Sequence, residues 1–294
     1  MFSINGKLKY CLLVILSGLI FGGCNVINPA EPTPTYVHVD SFLFQNTSLP
    51  LGITSSHQIN SVWAYYNNTP IGVFDLPATI PVITGGQGQL ALYPGIAVDG
   101  QNNFLSKYPF YKPDTFTLVP QPGNVINCLP KTSYYPDAVF NVFSNANNLQ
   151  LGIPNFKLAS GSSGMGVTTL DSLEFDGHAT GIITLNAATN DTMSEDSSVL
   201  NYPIPQNVDA YIEFDYKNSA PFSVGLRPNF DNFVQTVYLN GAYPSDHWQK
   251  FYLAVKDFAA QYKGNTYQVF IKAYLLAGQA SGKVLITNVQ LVHY

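Results

Sequence analysis

The residues of this 294-residue chain that could do chemistry most directly are two carboxylates, Glu213 and Asp215, in the run Tyr211–Tyr216. Residues two apart on a strand point to the same face of a sheet. Glycosidases place two carboxylates about 5–9 Å apart on either side of the scissile bond. In some sandwich glycosidases a third carboxylate follows on the same strand. The corresponding positions here are Lys217 and Asn218, so that catalytic carboxylate is absent. The competing interpretation is a polar stripe that faces solvent, while the apolar residues between the carboxylates point inward.

The sequence predicts neither a metal site nor a cofactor. The five histidines are scattered, and no spacing typical of a zinc site or of a phosphate-binding loop is present. Acidic residues cluster in segments 171–176 and 191–196, but their spacing matches no calcium-binding loop. We therefore expect both segments to be solvated turns.

Aromatic residues are better candidates for binding. The segment Lys107–Pro113 contains three aromatic rings and two prolines, which predicts a loop outside any central strand. Tyrosine and tryptophan rings combine flat apolar area with a polar tip, and this suits both sugars and protein partners. Alternatively, these rings fill the ends of a sandwich or a junction between domains, and Trp248 starts a predicted strand. The candidate contacts are Tyr108, Phe110, Tyr111, Tyr134, Tyr135, Tyr243 and Trp248.

The start of the chain resembles a bacterial lipoprotein signal. Lys7 and Lys9 precede an apolar run from Tyr10 to Phe21, which two glycines and Cys24 follow. The run suits the apolar core of a secretory signal and is too short to span a bilayer. The resemblance implies removal of residues 1–23, diacylglyceryl and palmitate attachment at Cys24, and a membrane-held protein. The alternative is a plain secreted protein in which Cys24 is incidental.

Residues 24–35 are rich in proline and predict an extended tether between the lipid anchor and the folded part. The chain has a formal net charge of −5, and only 11% of its residues are charged. This acidic balance argues against a nucleic-acid partner, because phosphate binding needs cations. Cys128 is the remaining cysteine of the mature part, so the sequence predicts no internal disulfide and a buried thiol.

Apolar residues alternate with period two almost throughout, which predicts an all-β chain. We expect two β-sandwich domains, at residues 36–127 and 133–294, the second a larger jelly roll. In the first, Val37, Val39 and Leu43 should share one face of a strand. Asn67-Asn68 predicts a tight hairpin turn, and the glycine-rich loop 85–88 predicts a second hairpin.

In the second domain, turn residues separate strand candidates at intervals that suit a sandwich. These candidates include Val139–Phe143, Leu173–Phe175, Gly181–Leu185, Ala210–Tyr216, Phe222–Leu226, Phe233–Leu239, Trp248–Val255, Tyr267–Leu275 and Val284–Val292.

Two segments carry resemblances to known folds. Trp63–Gly95 resembles the PEGA-type β-sandwich, which implies an interaction or envelope-associated role without catalysis. Trp248–Leu253 together with Ile286–Leu291 resembles the galactose-binding-like jelly roll, a carbohydrate-binding fold. Thr287 stands where many members of that family have Asp, which puts their structural calcium in doubt. The whole layout resembles uncharacterised lipoproteins of Gram-negative outer membranes.

The preferred hypothesis is a non-catalytic lipoprotein of the outer membrane, on its periplasmic face or at the cell surface. Its jelly roll would bind a polysaccharide or another envelope protein. The alternative is a lipid-anchored enzyme that acts on glycosides with carboxylates of the second domain, Glu213 among them. A third hypothesis is a purely structural envelope component.

Overall fold

The computed structural model describes residues 31–45, 49–50, 52–100, 104–230 and 235–294. The predicted signal 1–23, Cys24 and most of the tether lie outside these ranges. The first strand begins at Thr35, one residue inside the expected tether. In the described residues no helix has both the length and the apolarity that a membrane span requires.

In the residues that the structure describes, ten short strands form the N-terminal half of the molecule, residues 35–132. They are β1 (Thr35–Val39), β2 (Leu43–Phe44), β3 (Ser61–Tyr66), β4 (Thr69–Asp75), β5 (Ala78–Val82), β6 (Gly88–Ala97), β7 (Leu105–Lys107), β8 (Asp114–Leu118), β9 (Val125–Cys128) and β10 (Lys131–Thr132). One sheet has the order β4–β3–β6–β7, with β8 also paired to β6, and a second has the order β5–β1–β9. Strand β10 pairs with β2. A 3₁₀ helix, η1 (Val98–Gly100), follows β6.

The inward faces of these two sheets share one apolar core. Val37 and Val39 of β1 and Leu90 and Leu92 of β6 are fully buried in it. Leu43 does not share their face, because the chain leaves β1 at Val39 and Leu43 lies on β2, 44% exposed.

One of the two predicted hairpins is confirmed. Asn67 and Asn68 join β3 to β4 with φ of 48° and 64°, the left-handed conformation that a tight hairpin turn requires. The prediction of a hairpin around residues 85–88 is wrong. Strand β5 pairs with β1 and β6 pairs with β3, so this loop crosses from one sheet to the other.

The C-terminal sandwich spans residues 139–293 and, leaving aside 231–234, consists of eleven strands and two short helices. The strands are β11 (Val139–Ser144), β12 (Phe156–Gly161), β13 (Gly166–Thr168), β14 (Thr180–Asn186), β15 (Met193–Ser198), β16 (Ala210–Asn218), β17 (Phe222–Asn229), β18 (Val237–Ala242), β19 (Ser245–Ala254), β20 (Thr266–Tyr274) and β21 (Ser281–His293). The helices are α1 (Ala146–Gln150) and α2 (Lys256–Tyr262). Two 3₁₀ helices, η2 (Asp171–Leu173) and η3 (Ala187–Thr189), lie in its loops.

The C-terminal strands form two antiparallel sheets. The six-stranded sheet has the order β13–β14–β21–β16–β19, and β11 pairs with the far end of β21. The five-stranded sheet has the order β12–β15–β20–β17–β18. Apolar side chains such as Ile212, Phe214 and Val269 fill the space between them. The chain is therefore all-β and contains a jelly-roll β-sandwich. The exact division into domains stays a prediction.

Two C-terminal segments differ from the sequence-based expectation. Segment 191–196 is not a solvated turn, because β15 runs through it and Asp196 is fully buried. The Asp196 carboxylate accepts hydrogen bonds from the Met165 amide and the Ser194 hydroxyl, which allows an acid-rich strand to be buried. Leu173–Phe175 is not a strand, since η2 ends at Leu173 and Phe175 forms only an isolated bridge.

Candidate functional site

The N-terminal half covers part of the outer face of the six-stranded sheet, over β16, β19 and the end of β21. A third cluster of buried residues joins Tyr108, Phe110 and Tyr111 to Tyr252 of β19 and Val292 of β21. The rings meet mainly edge to face, for example Tyr108 and Tyr252 with centroids 5.0 Å apart. We call this contact the junction.

Four of the predicted ligand contacts are therefore inaccessible in this conformation. Tyr108, Phe110, Tyr111 and Tyr134 all lie in the junction and are at most 6% exposed. Their position agrees with the alternative interpretation, in which these rings fill a junction between the two parts of the chain. Tyr135 is half-buried, and its amide donates to the Phe110 carbonyl at 2.8 Å.

Glu213 is the centre of a polar cluster within the junction. Its Oε1 accepts a hydrogen bond from the Tyr108 hydroxyl. Its Oε2 accepts from the Tyr134 hydroxyl at 2.8 Å and from Gln290 Nε2 at 3.0 Å, and lies 3.2 Å from Lys250 Nζ. A buried charge is tolerated only when it is paired and hydrogen-bonded, and Glu213 is both.

The expectation that Glu213 and Asp215 form a solvent-facing stripe is wrong. They are 0% and 1% exposed, because the N-terminal half packs on the face of β16 that carries them. Asp215 Oδ1 accepts from the Ser56 hydroxyl of the N-terminal half, and its Oδ2 accepts from Asn288 Nδ2 at 2.8 Å.

Burial and the Glu213 charge shift the acid–base behaviour of the junction. Burial first, and then the negative Glu213, raise the pKa of Tyr108 and of Tyr134 well above its usual range. Burial lowers the pKa of Lys250, but the negative charges of Asp215 and Glu213 outweigh it and raise that pKa above its ordinary value. The phenols therefore stay neutral donors and Lys250 stays a cation over the physiological range.

An open cleft of about 510 Å³ lies where loop 54–58 of the N-terminal half meets the six-stranded sheet. We call it the Trp248 cleft. Its lining residues are Thr54, Ser55, Ser56, His57, Gln58, Phe175, Asp176, Asp215, Trp248, Gln249 and Lys250.

Aromatic rings form two walls of the Trp248 cleft. Trp248 packs edge to face on Phe175 with centroids 4.9 Å apart, and its Nε1 donates to the Glu174 carbonyl at 3.2 Å. The ring of His57 stacks on Phe44 at 5.1 Å with an interplanar angle of 21°. Trp248 is half-exposed and His57 is exposed, so both are accessible from solvent.

Gln58 fixes loop 54–58 against β19. Its Nε2 donates to Gln249 Oε1 at 2.5 Å, and its Oε1 accepts from the Lys250 amide at 2.7 Å. The backbone N–H of Gln58 donates to the Tyr252 hydroxyl at 3.0 Å. Three hydrogen bonds therefore hold the two sides of the cleft in register, which pre-forms the cavity.

The remaining predicted residues lie apart from this cleft. Tyr243 is 81% exposed in the turn between β18 and β19 and lines a separate cavity of about 200 Å³ with Asn240 and Tyr274. Tyr135 lines a third cavity, of about 210 Å³. Of the seven predicted contact residues, four therefore lie together in the junction. The other three, Tyr135, Tyr243 and Trp248, line three separate cavities.

The described part of the chain holds no group of three or more His, Cys, Asp or Glu residues placed to bind a metal ion. Thr287 is buried on β21. Cys128 is half-buried and free, and burial together with the nearby Asp114 raises the pKa of its thiol to about 11.

Sequence reasoning did not identify several residues of the cleft, namely His57, Gln58, Phe175 and Gln249. His57 and Gln58 are nearly two hundred residues from Trp248 along the chain, and only the packing of the two halves brings them together. Phe175 is an aromatic residue in an acid-rich segment, which is a weak indication of a binding site, but the sequence predicted a strand there.

No family model matches the sequence, and no curated protein matches it. Among solved structures, the chain is similar to the enzymatically active domain of bacteriophage CBA120 tailspike protein 4, with 11% identity and a TM-score of 0.40. That match covers 58% of this chain and only 26% of the tailspike chain.

The chain is also similar to two carbohydrate-binding modules. A single-residue mutant of the family 29 module CBM29-2, complexed with cellulohexaose, has 15% identity and a TM-score of 0.34, over 54% of this chain and 93% of that chain. TmCBM61 in complex with β-1,4-galactotriose has 13% identity and a TM-score of 0.31, over 46% and 86%. All three similarities are too distant to carry an argument about ligand or activity.

Proposed function

We propose that this protein is a non-catalytic cell-envelope lipoprotein that binds a neutral glycan in the Trp248 cleft. One observation carries the proposal: an open, pre-formed cleft in which the half-exposed Trp248 ring lies beside amide, hydroxyl and carboxylate groups. Sugar rings present apolar C–H faces and a rim of hydroxyls, so an aromatic surface with hydrogen-bonding groups around it matches their chemistry.

The polar groups of the cleft suit neutral hydroxyl-rich ligands better than acidic ones. Asp176 is exposed at the cleft, and Asp215 lines it, whereas the Lys250 ammonium is already paired with Glu213. The unpaired charge that a ligand would meet is therefore negative. This favours neutral sugars over uronic acids, because like charges repel at close range.

A glycan array followed by titration calorimetry tests the proposal. The full chain, purified in detergent, is screened, and the strongest neutral oligosaccharide is titrated into the wild type and into Trp248→Ala. We expect Trp248→Ala to weaken binding about tenfold or more, as removal of a central aromatic contact does elsewhere. Tyr243→Ala is the matched control, since Tyr243 is exposed outside the cleft. Unchanged binding in Trp248→Ala, or equal loss in both variants, would refute the site.

The lipid anchor is part of the same proposal and has its own test. Two or more acyl chains on Cys24 would hold the protein stably on a membrane, whereas one chain would not. Cys24→Ala is expected to move the protein from the membrane fraction to the soluble fraction. Mass spectrometry that finds no lipid on Cys24 would remove the proposed anchor and outer-membrane location, and would leave the cleft untouched.

The enzymatic alternative now depends on different residues. Glu213 is sealed in the junction with both oxygens engaged. Asp215 lines the cleft, but it is 1% exposed and both of its oxygens accept hydrogen bonds, whereas Asp176 is exposed there. Glycoside hydrolysis requires two carboxylates on opposite sides of the bond. Prolonged incubation with the bound oligosaccharide decides between the two functions. A binder leaves it intact, whereas an enzyme releases products in the wild type and loses that activity in Asp176→Asn.

A further inference from the structure

Three aromatic rings converge on the outward face of the sheet β4–β3–β6–β7, away from the Trp248 cleft. Trp63 and Tyr65 lie on β3, and Tyr93 lies opposite Trp63 on β6. The rings of Tyr65 and Tyr93 meet edge to face with centroids 5.3 Å apart. All three residues are only half-buried, so a ligand can reach the face that they form.

One cation already lies between these rings. Lys107 Nζ is 5.7 Å from the ring centroid of Trp63 and 5.1 Å from those of Tyr65 and Tyr93. Each distance is within the range of about 6 Å over which a cation is attracted to an aromatic face. Lys107 Nζ also donates to the Tyr65 hydroxyl at 3.2 Å, and within the described ranges Lys107 forms no ion pair.

We call Trp63, Tyr65 and Tyr93 the cage. Gly95 makes room for the Trp63 ring in it. A Cβ atom added at Gly95 would collide with Ser61 Oγ, and it would also lie 2.9 Å from Trp63 Nε1 and 3.0 Å from Trp63 Cδ1. Glycine at this position of β6 therefore makes room for the indole against the backbone. The cage thus depends on the absence of a side chain as well as on three rings.

We propose that Trp63, Tyr65 and Tyr93 form a binding site for a quaternary ammonium group, and that Lys107 occupies it in the unliganded protein. The lysine ammonium is strongly hydrated and carries three donors, and Tyr65 accepts from it here. A trimethylammonium group needs no acceptor and binds through aromatic faces alone. Lys107 is exposed on the edge strand β7, so its side chain can leave the cage without rearrangement of the sheet.

Trp63 fluorescence reports directly on this site. The chain contains two tryptophans, so Trp248→Phe leaves Trp63 as the one tryptophan, which is excited selectively at a wavelength that tyrosine does not absorb. In that background, tetramethylammonium chloride is titrated against sodium chloride of equal ionic strength. We expect Lys107→Ala to bind tetramethylammonium about tenfold more tightly than its parent, because the internal competitor is gone. Lys131→Ala removes an exposed lysine outside the cage and should match the parent.

Two further variants keep the proposal falsifiable. Tyr65→Leu and Tyr93→Leu, each in the Lys107→Ala background and checked for folding by circular dichroism, are expected to abolish the response. A response of Lys107→Ala no larger than that to sodium chloride would overturn the proposal. Equal affinities in Lys107→Ala and Lys131→Ala would overturn the role of Lys107. Because the cleft is not involved, failure of glycan binding would not affect this site, and the reverse also holds.

Discussion

The two faces of strand β16 are both buried, but by opposite means. Toward the sandwich core, Ile212 and Phe214 pack among apolar side chains alone. Toward the junction, Glu213 and Asp215 are sealed by hydroxyl, amide and ammonium groups, and the hydroxyls of Tyr108 and Ser56 come from the N-terminal half. The inner face is stabilised by apolar burial, and the two carboxylates of the outer face by hydrogen bonds and an ion pair.

This difference shows that an alternating pattern does not identify what covers a polar face. A strand with polar residues on every second position suits water, but it equally suits a second protein surface that supplies matching donors. The junction supplies them through Tyr108, Tyr134 and Ser56. The two faces should therefore respond differently to mutation and to pH.

The largest effect is expected from loss of the Glu213 charge. Glu213→Gln leaves Lys250 buried without its closest partner, which should lower the free energy of unfolding by about 3–5 kcal/mol. Urea denaturation measures this change. Asp209→Asn is the matched control, because Asp209 pairs with Lys256 at 3.1 Å on the surface and its loss should cost less than about 1 kcal/mol. Equal effects would mean that the junction opens in solution.

The neighbouring position on the inner face tests apolar packing. Ile212→Ala removes methyl groups from a fully buried site and should cost about 2–5 kcal/mol. The double variant Glu213→Gln/Lys250→Met sharpens the contrast, since it removes the unpaired charge and should recover part of the loss of Glu213→Gln. A double variant no more stable than the single variant would contradict the ion-pair explanation.

A smaller effect is expected from Tyr134→Phe. This change removes one hydrogen bond to a charged carboxylate, which typically contributes about 1.5–3 kcal/mol. Tyr243→Phe removes an exposed hydroxyl and should leave the denaturation midpoint unchanged. Indistinguishable midpoints for the two variants would show that Tyr134 is not sealed against Glu213.

The smallest predicted effect concerns alkaline pH. The pKa values of Tyr108 and Tyr134 are raised, so the folded protein keeps phenolic protons that the unfolded chain releases above about pH 10. The stability that these phenols contribute is present below that pH and is lost as pH rises, by at most about 1.4 kcal/mol per pH unit for each tyrosine. Unfolding curves at increasing pH should fall less steeply in Tyr134→Phe than in the wild type. Parallel curves would contradict this assignment.

Local patterns were sufficient to predict the class of fold and many of its strands. Period-two alternation identified β16, β20 and β21, and two asparagines marked the β3–β4 turn. Local patterns failed for β15, where an acid-rich sequence is buried because Asp196 finds donors on a distant loop. They also failed for the second hairpin, because pairing of β5 with β1 is a long-range choice.

The candidate site was less predictable than the fold. Of the seven aromatic candidates, Trp248 lines the proposed cleft, whereas four lie in the junction. Nothing in the residues around Tyr108 distinguishes an exposed ring from a buried one, since its burial depends on β16, β19 and β21 lying opposite. The cleft exists only because loop 54–58 reaches the start of β19, and no local signal encodes that contact.

A crystal structure of the protein with its strongest neutral oligosaccharide tests the central claim most directly. We predict sugar rings between Trp248 and His57, with Glu213 still sealed by Tyr108 and Tyr134. Sugar bound instead on the outer face of the six-stranded sheet, with the N-terminal half displaced, would contradict the account.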